Sequence, residues 1–138
     1  MRKTIIAAAV AVATGTGALA AEPAGRLSTS AGPVELTRMA DGFRTPWALD
    51  FLPGGGFVVT ERGGALWRVA PDGRRTEIGG LPEIAAWGQG GLLDLMVPRD
   101  FEESRELFFT YSTPMGLLQR ASGTAVASAR LPAGRDRL

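Results

Sequence analysis

The chain contains no cysteine and no histidine among its 138 residues. Without cysteine it can form neither a disulfide framework nor a thiolate metal site. Without histidine it lacks the commonest general base and the commonest metal ligand of proteins. A disulfide-stapled scaffold, a zinc–thiolate site and histidine-based catalysis are therefore excluded for these residues.

The chain also lacks a strong excess of charge of either sign. Its 15 basic residues face 14 acidic ones, for a net charge of +1. Two of the basic residues, Arg2 and Lys3, lie in a leader described next, and their removal leaves 13 basic residues against 14 acidic, a net charge of −1. This near-neutral chain gives no indication of nucleic acid as a partner.

The first 20 residues have the features of a secretory signal peptide. Arg2 and Lys3 provide a positive start, Ile5–Val12 is an apolar core, and Ala18-Leu19-Ala20 is a small-x-small cleavage site. A membrane anchor is the alternative, but about 14 apolar and small residues are too few to span a bilayer. We expect residues 1–20 to be removed on export, leaving a periplasmic or secreted chain with no membrane span.

Glycine and proline are abundant, with 19 and nine residues, and they favour many short strands over a helical bundle. Residues 21–33 are small and polar, and we interpret them as a mobile N-terminal arm. Val34–Met39 then alternates apolar and polar residues, as a half-buried strand does. No partner for this strand is evident in the unit that follows it.

Four alternating segments separated by tight turns predict an up-and-down antiparallel sheet. Trp47 and Trp67 are expected to pack in the core between such sheets. The four segments are Pro46–Phe51, Phe57–Glu61, Ala65–Val69 and Arg75–Ile78.

The pattern restarts 45 residues after Trp47, at Leu92, which is the spacing of four-stranded propeller blades. Residues 92–97 form a nearly continuous apolar strand, expected to be buried on both faces. A loop at 98–104 and strands at 106–111 and 124–131 follow, and a fourth strand is missing or lies in the last residues. Two blades cannot close a ring, so we interpret residues 34–138 as a truncated, all-β partial propeller: the first blade and most of the second.

The junction between the two units is the segment Gly88-Gln89-Gly90-Gly91-Leu92-Leu93-Asp94. Three glycines in four positions allow backbone or ligand to approach closely. Gln89 is the one long polar side chain among them, and its amide can bind hydroxyls without titrating. It could equally bridge main-chain groups of its own loop. Asp94 is expected to be structural, bonding to loop backbone.

Four segments in this order resemble the glucose/sorbosone dehydrogenase family. The resemblance runs from about residue 34 to residue 131 and covers roughly the first third of a family member, and the ordered set is specific although each motif alone is weak. The segments are Pro46–Pro53, Val59–Gly64, Leu81-Pro82-Glu83 followed by Gly88–Asp94, and Pro98–Phe101.

The resemblance implies a six-bladed β-propeller and an exported, PQQ-dependent oxidoreductase that converts aldose sugars to lactones at C1. In that family a histidine is the base, calcium polarises PQQ, and an external acceptor takes the electrons. The glutamine of the GQGG motif contacts a sugar hydroxyl, and Gln89 matches that position. The histidine, the calcium ligands and the PQQ-binding cations lie further along the family's sequence, so we expect no catalytic residue and no metal site here, assign no cofactor-binding residue, and expect the chain alone to be inactive.

Other interpretations remain open at this point. The chain could be a non-catalytic propeller module that binds sugars or proteins, or an inactive product that does not fold stably. Trp87 could stack on a sugar, although packing within its loop is the simpler interpretation. Glu61 and Arg62 are expected to form an ion pair or a turn contact. The remaining carboxylates, Asp41, Asp50, Glu83 and Asp94, have no spacing typical of a metal site.

Overall fold

A computed structural model of the chain describes residues 22–116 and 121–138. The signal peptide predicted for residues 1–20 lies outside the described residues. The described part contains a two-stranded, a four-stranded and a three-stranded antiparallel sheet and one short helix. Successive strands are neighbours in every sheet, and this up-and-down topology confirms the all-β, propeller-blade prediction.

The N-terminal part is a hairpin in which β1, Glu22–Thr29, pairs with β2, Gly32–Arg38. The structure therefore has a strand where a mobile arm was expected, and β2 has a partner within the chain. Leu27 faces Val34 across the ladder, and the hydroxyl of Thr29 donates to the carbonyl of Gly32 at 2.7 Å across the turn. The sequence indicated only one strand because β1 has a single large apolar residue and no alternation.

The first four-stranded sheet follows the prediction closely. It consists of β3, Pro46–Phe51, β4, Phe57–Glu61, β5, Ala65–Val69, and β6, Arg75–Glu77, in that order. The turn from β3 to β4 has positive φ angles at three consecutive glycines, 54, 55 and 56, and only glycine adopts such a run without strain. Only the end of β6 differs, by one residue.

The second sheet consists of β7, Leu92–Met96, β8, Glu106–Met115, and β9, Ala121–Arg130. Both β8 and β9 are longer than expected, and the predicted loop before β8 contains a helical turn, α1, Phe101–Ser104. Among the described residues no fourth strand joins this sheet. Instead Arg137 forms a parallel bridge with Gly79, so the last residues lie against the segment that follows β6.

A hydrophobic core joins the two larger sheets face to face. Phe101, the first residue of α1, belongs to this core and is only 2% exposed. The guanidinium of Arg105 lies 4.4 Å from the centroid of the Phe101 ring. Burial of such side chains stabilises each by about 2–3 kcal/mol, and this shared core is what holds two otherwise marginal sheets together. Its other buried members are Val58, Leu66, Ile78, Leu92, Leu95, Leu107, Phe109 and Leu131.

The strand β7 is buried on one face only. Leu92 and Leu95 are buried, whereas Asp94 and Met96 are exposed, and a register shift separates the two leucines. The expectation of burial on both faces is wrong for the described residues, because only the side towards the first sheet has a neighbour among them.

The first sheet has an open face on the side opposite the core. Trp47, Leu49 and Phe51 of β3 are 55%, 48% and 71% exposed there. Trp67 packs on the same face in a small cluster around Val59, beneath the guanidinium of Arg75. Both tryptophans therefore lie outside the core between these two sheets, on the face that has no neighbour among the described residues. Their expected packing between blades stays a prediction.

Two side chains of the first sheet bond directly to β7 and to the residue after it. The hydroxyl of Thr60, fully buried, donates to the carbonyl of Leu93 at 2.6 Å and accepts from the amide of Ala48 at 3.1 Å. The carboxylate of Asp50 accepts from the amide of Val97 at 2.6 Å. These hydrogen bonds fix the position of one sheet relative to the other.

We expect Thr60→Val to lower the free energy of unfolding by about 1–3 kcal/mol, because the shape is kept while buried main-chain groups lose their partner. The matched control, Thr37→Val on an exposed position of β2, should change it by less than about 0.5 kcal/mol. Urea unfolding followed by circular dichroism measures both. Equal losses in the two variants would contradict the role given to Thr60.

Candidate functional site

The glycine-rich segment 88–91 precedes β7 and lies between two other parts of the chain. On one side is the turn that joins β4 to β5, which begins at Arg62. On the other side is β8, whose Ser112 donates its amide to the carbonyl of Gly91 at 2.8 Å and accepts from the amide of Ala85 at 2.7 Å. The loop is thus anchored through its backbone to both sheets.

Arg62 contacts this loop with its side chain and its main chain. Its guanidinium donates to the carbonyl oxygens of Gly88 at 2.7 Å and Gly90 at 3.3 Å. Its own carbonyl accepts from the amide of Leu92 at 3.1 Å. Of the two expectations for Glu61 and Arg62, the ion pair does not form, since the Glu61 carboxylate accepts from the amide of Arg44 at 2.6 Å. The turn contact does form, since the Glu61 carbonyl accepts from the amide of Gly64 at 2.9 Å.

Two of the glycines are required by close approach of other backbone. A Cβ at Gly91 would lie well inside contact distance of the carbonyl oxygen of Arg62, and one at Gly90 would lie 2.6 Å from the carbonyl oxygen of Ala85. Gly88 has open space around it but a φ of 58°. The motif therefore tolerates side chains poorly at all three positions.

Gln89 is exposed and lines a cleft of about 420 Å³ between this loop and β8 and β9. Trp87, 46% exposed, and Leu93 form its apolar part. None of the described residues that line the cleft is charged. Its hydroxyl groups come from Ser112, Ser122 and Thr124.

An amide, an indole face and several hydroxyls suit a neutral ligand rich in hydroxyl groups. Gln89 and Trp87, both singled out from the sequence, line the same cleft. Ser122 and Thr124 were missed by the sequence analysis. The pairing of β8 with β9 could have indicated them, because Thr124 lies directly opposite Ser112 in that ladder.

A second hollow, of about 440 Å³, lies along the open face of the first sheet. Its lining is mainly apolar, with Met39, Phe43, Trp47, Leu49 and Phe51 among its members. It occupies the face of the sheet that has no neighbour among the described residues. Its described lining does not bring together side chains that could act in catalysis. We therefore place the candidate site at Gln89.

The remaining carboxylates that the sequence singled out are structural or dispersed. Asp94 is exposed, and its carboxylate accepts from the amide of Leu95 at 2.9 Å, so it bonds within β7 and not to the loop. Asp50 bonds to Val97 as described above. Within residues 22–116 and 121–138, no three acidic side chains come together as a metal site would require.

Comparison with known proteins identifies a family and several relatives. A family model described as Glucose / Sorbosone dehydrogenase matches residues 43–138. The aldose sugar dehydrogenase YliI of Escherichia coli (strain K12) is 42% identical over 101 residues, which cover 71% of this chain and 26% of that protein. The chain thus spans about a quarter of the length of the curated relatives it matches.

Solved structures agree with the sequence comparison. A crystal structure of glucose dehydrogenase superposes with a TM-score of 0.66 at 38% identity, over 71% of this chain and 28% of that one. The PQQ-bound aldose sugar dehydrogenase of Streptomyces coelicolor superposes with a TM-score of 0.61 at 28% identity, over 70% and 28% of the two chains. The resemblance predicted from the motifs is confirmed.

We expect Gly91→Ala to lower the free energy of unfolding by about 2–4 kcal/mol, because the methyl group forces apart two backbone segments. Gly63→Ala is the control, since nothing lies within 4 Å of a Cβ there and its φ is unstrained; it should cost less than about 0.5 kcal/mol. Thermal or urea unfolding compares them. A Gly91→Ala variant as stable as the control would contradict the close approach.

Proposed function

Because the chain belongs to the glucose/sorbosone dehydrogenase family, we propose that it contributes the first two blades of a PQQ-dependent enzyme that oxidises aldose sugars at C1 to lactones. The family members are sugar oxidoreductases, and an external electron acceptor completes the proposed reaction. The observation that carries the proposal is Gln89, which belongs to the GQGG motif of the resemblance and lines a neutral, hydroxyl-bearing cleft.

In the proposed enzyme Gln89 binds and orients the sugar. Its amide can donate to one hydroxyl and accept from another at the same time, and it stays neutral at every physiological pH. Trp87 offers an apolar face to the hydrogens of a sugar ring, and Ser122 and Thr124 offer further hydroxyl partners. These residues position a substrate but do not accept its protons.

The residues that the structure describes do not fit PQQ or calcium. A calcium ion needs several oxygen ligands at one point, and the described residues bring no such group together. PQQ is a tricarboxylate, whereas the described residues that line the cleft at Gln89 include no cation. We therefore assign the ligands of both groups, and the histidine base, to parts of the enzyme outside this chain.

We further propose that the enzyme acts after export, in the periplasm or outside the cell, with residues 1–20 removed. Among the described residues no helix is long and apolar enough to cross a membrane. The alternative is a non-catalytic propeller module that binds sugars or proteins.

Residues 21–138 by themselves should not reduce a redox dye when supplied with aldoses, PQQ and calcium. The physical reason is that no side chain of the chain can serve as the histidine base. A chimaera in which residues 43–138 replace the matching segment of the E. coli relative should reduce the dye. Appreciable activity of residues 21–138 alone would contradict the proposal, and an inactive but folded chimaera would favour the binding module.

In that chimaera we expect Gln89→Ala to raise KM for the aldose about two- to tenfold, the usual effect of losing one or two hydrogen bonds. The exposed residue Glu102 on α1 provides the control, because Glu102→Ala should leave KM unchanged. Steady-state dye reduction over a range of sugar concentrations measures both. Equal KM values for Gln89→Ala and the parent would exclude the sugar contact.

A further inference from the structure

We propose that Arg62 is a positioning residue that sets the direction of Gln89 in the cleft. This inference rests on the proposed function, because it concerns how the same site is held for a sugar. It goes beyond that function by assigning a role to a residue on another sheet, in the turn between β4 and β5.

Arg62 contacts the main chain on both sides of Gln89. One guanidinium nitrogen of Arg62 donates to the carbonyl of the residue before Gln89, at 2.7 Å, and to the carbonyl of the residue after it, at 3.3 Å. Arg62 therefore holds the peptide plane that joins Gly88 to Gln89 and, one residue further on, the plane that joins Gly90 to Gly91. The plane between them, which joins Gln89 to Gly90, donates its N–H to the carbonyl of Trp87 at 2.9 Å. The direction of the Cα–Cβ bond of Gln89 follows from the two planes that flank it, and Arg62 restrains the first directly and the second through the adjoining peptide.

Arg62 is itself firmly placed. Its amide donates to the carbonyl of Thr45 at 2.9 Å, and its carbonyl accepts from the amide of Leu92 at 3.1 Å. The ion pairs of the described residues involve other arginines, Arg26, Arg38 and Arg68. Charge-assisted bonds to carbonyl groups are stronger than neutral ones, so the cation is a strong clamp on the loop.

The loop needs such a clamp. Three of its four residues are glycine, which loses more conformational freedom on ordering than any other residue. No side-chain hydrogen bond of Gln89 occurs within the described residues. Its orientation therefore depends on the backbone on either side of it, and that backbone is held by Arg62.

Loss of the guanidinium should affect the site through Gln89 and not independently of it. In the chimaera described above, Arg62→Ala should raise KM for the aldose about two- to tenfold and no more than Gln89→Ala does, because it acts through that side chain. In a Gln89→Ala background the same change should raise KM by less than about twofold, because the group that it positions is already gone. Arg62→Lys, a milder variant, should lie between Arg62→Ala and the parent, because an ammonium group can reach one carbonyl.

Arg99→Ala is the matched control, since Arg99 is an exposed arginine, and it should leave KM unchanged. In the full chain, amide exchange of Gly90, whose N–H donates to the carbonyl of Trp87 at 2.9 Å, should speed up about tenfold in Arg62→Ala. Added guanidinium ion should partly restore both KM and exchange. A purely structural role would lower the unfolding midpoint without this rescue.

The outcomes distinguish the proposed sugar contact of Gln89 from the positioning role of Arg62. If Gln89→Ala leaves KM unchanged, the proposed sugar contact is wrong, whatever Arg62 does. If Arg62→Ala raises KM equally with and without Gln89, or leaves the exchange of Gly90 unchanged, the positioning role is overturned. Fast exchange together with a KM effect that disappears in the Gln89→Ala background supports it.

Discussion

The packing of one antiparallel sheet on the next is the interaction on which the rest of this structure depends. Each sheet is small, and neither could bury both of its faces alone. The core around Phe101 and Leu92 joins them, and Thr60 and Asp50 add directional bonds that fix their relative position. The same arrangement brings a turn of the first sheet beside the loop that leads into the second, which is where the candidate site lies.

That site is a product of contacts between sheets. The loop carrying Gln89 is bonded to Arg62 of the first sheet and to Ser112 of the second. Gly90 and Gly91 are needed because backbone approaches them too closely for a side chain. The cleft that results offers neutral donors and acceptors and an indole face, which is a binding arrangement. Proton transfer and redox chemistry need other groups, and in a relative such as the E. coli protein, of which this chain matches only 26%, the rest of the protein can provide them.

Strand prediction succeeded where alternation and turn chemistry agreed. The bounds of β3, β4 and β5 were predicted because glycine and proline turns separate them and apolar residues alternate within them. It failed where one of these signals was missing. β1 has no apolar alternation and is held by main-chain bonds to β2. The apolar run of β7 suggested burial on both faces, yet burial depends on which neighbours are present.

The sequence by itself determined the topology of the two sheets, the family, and the place of Gln89 in a glycine-rich loop between them, because turn residues, apolar period and motif order are all local properties of the chain. Only the tertiary structure decided that Arg62 bonds to the carbonyls of the residues before and after Gln89 and that Ser122 and Thr124 share its cleft. Arg62, Ser122 and Thr124 are more than 25 positions away from Gln89 along the chain. Contacts at such separations arise from sheet pairing and packing, which a single sequence does not reveal by spacing alone.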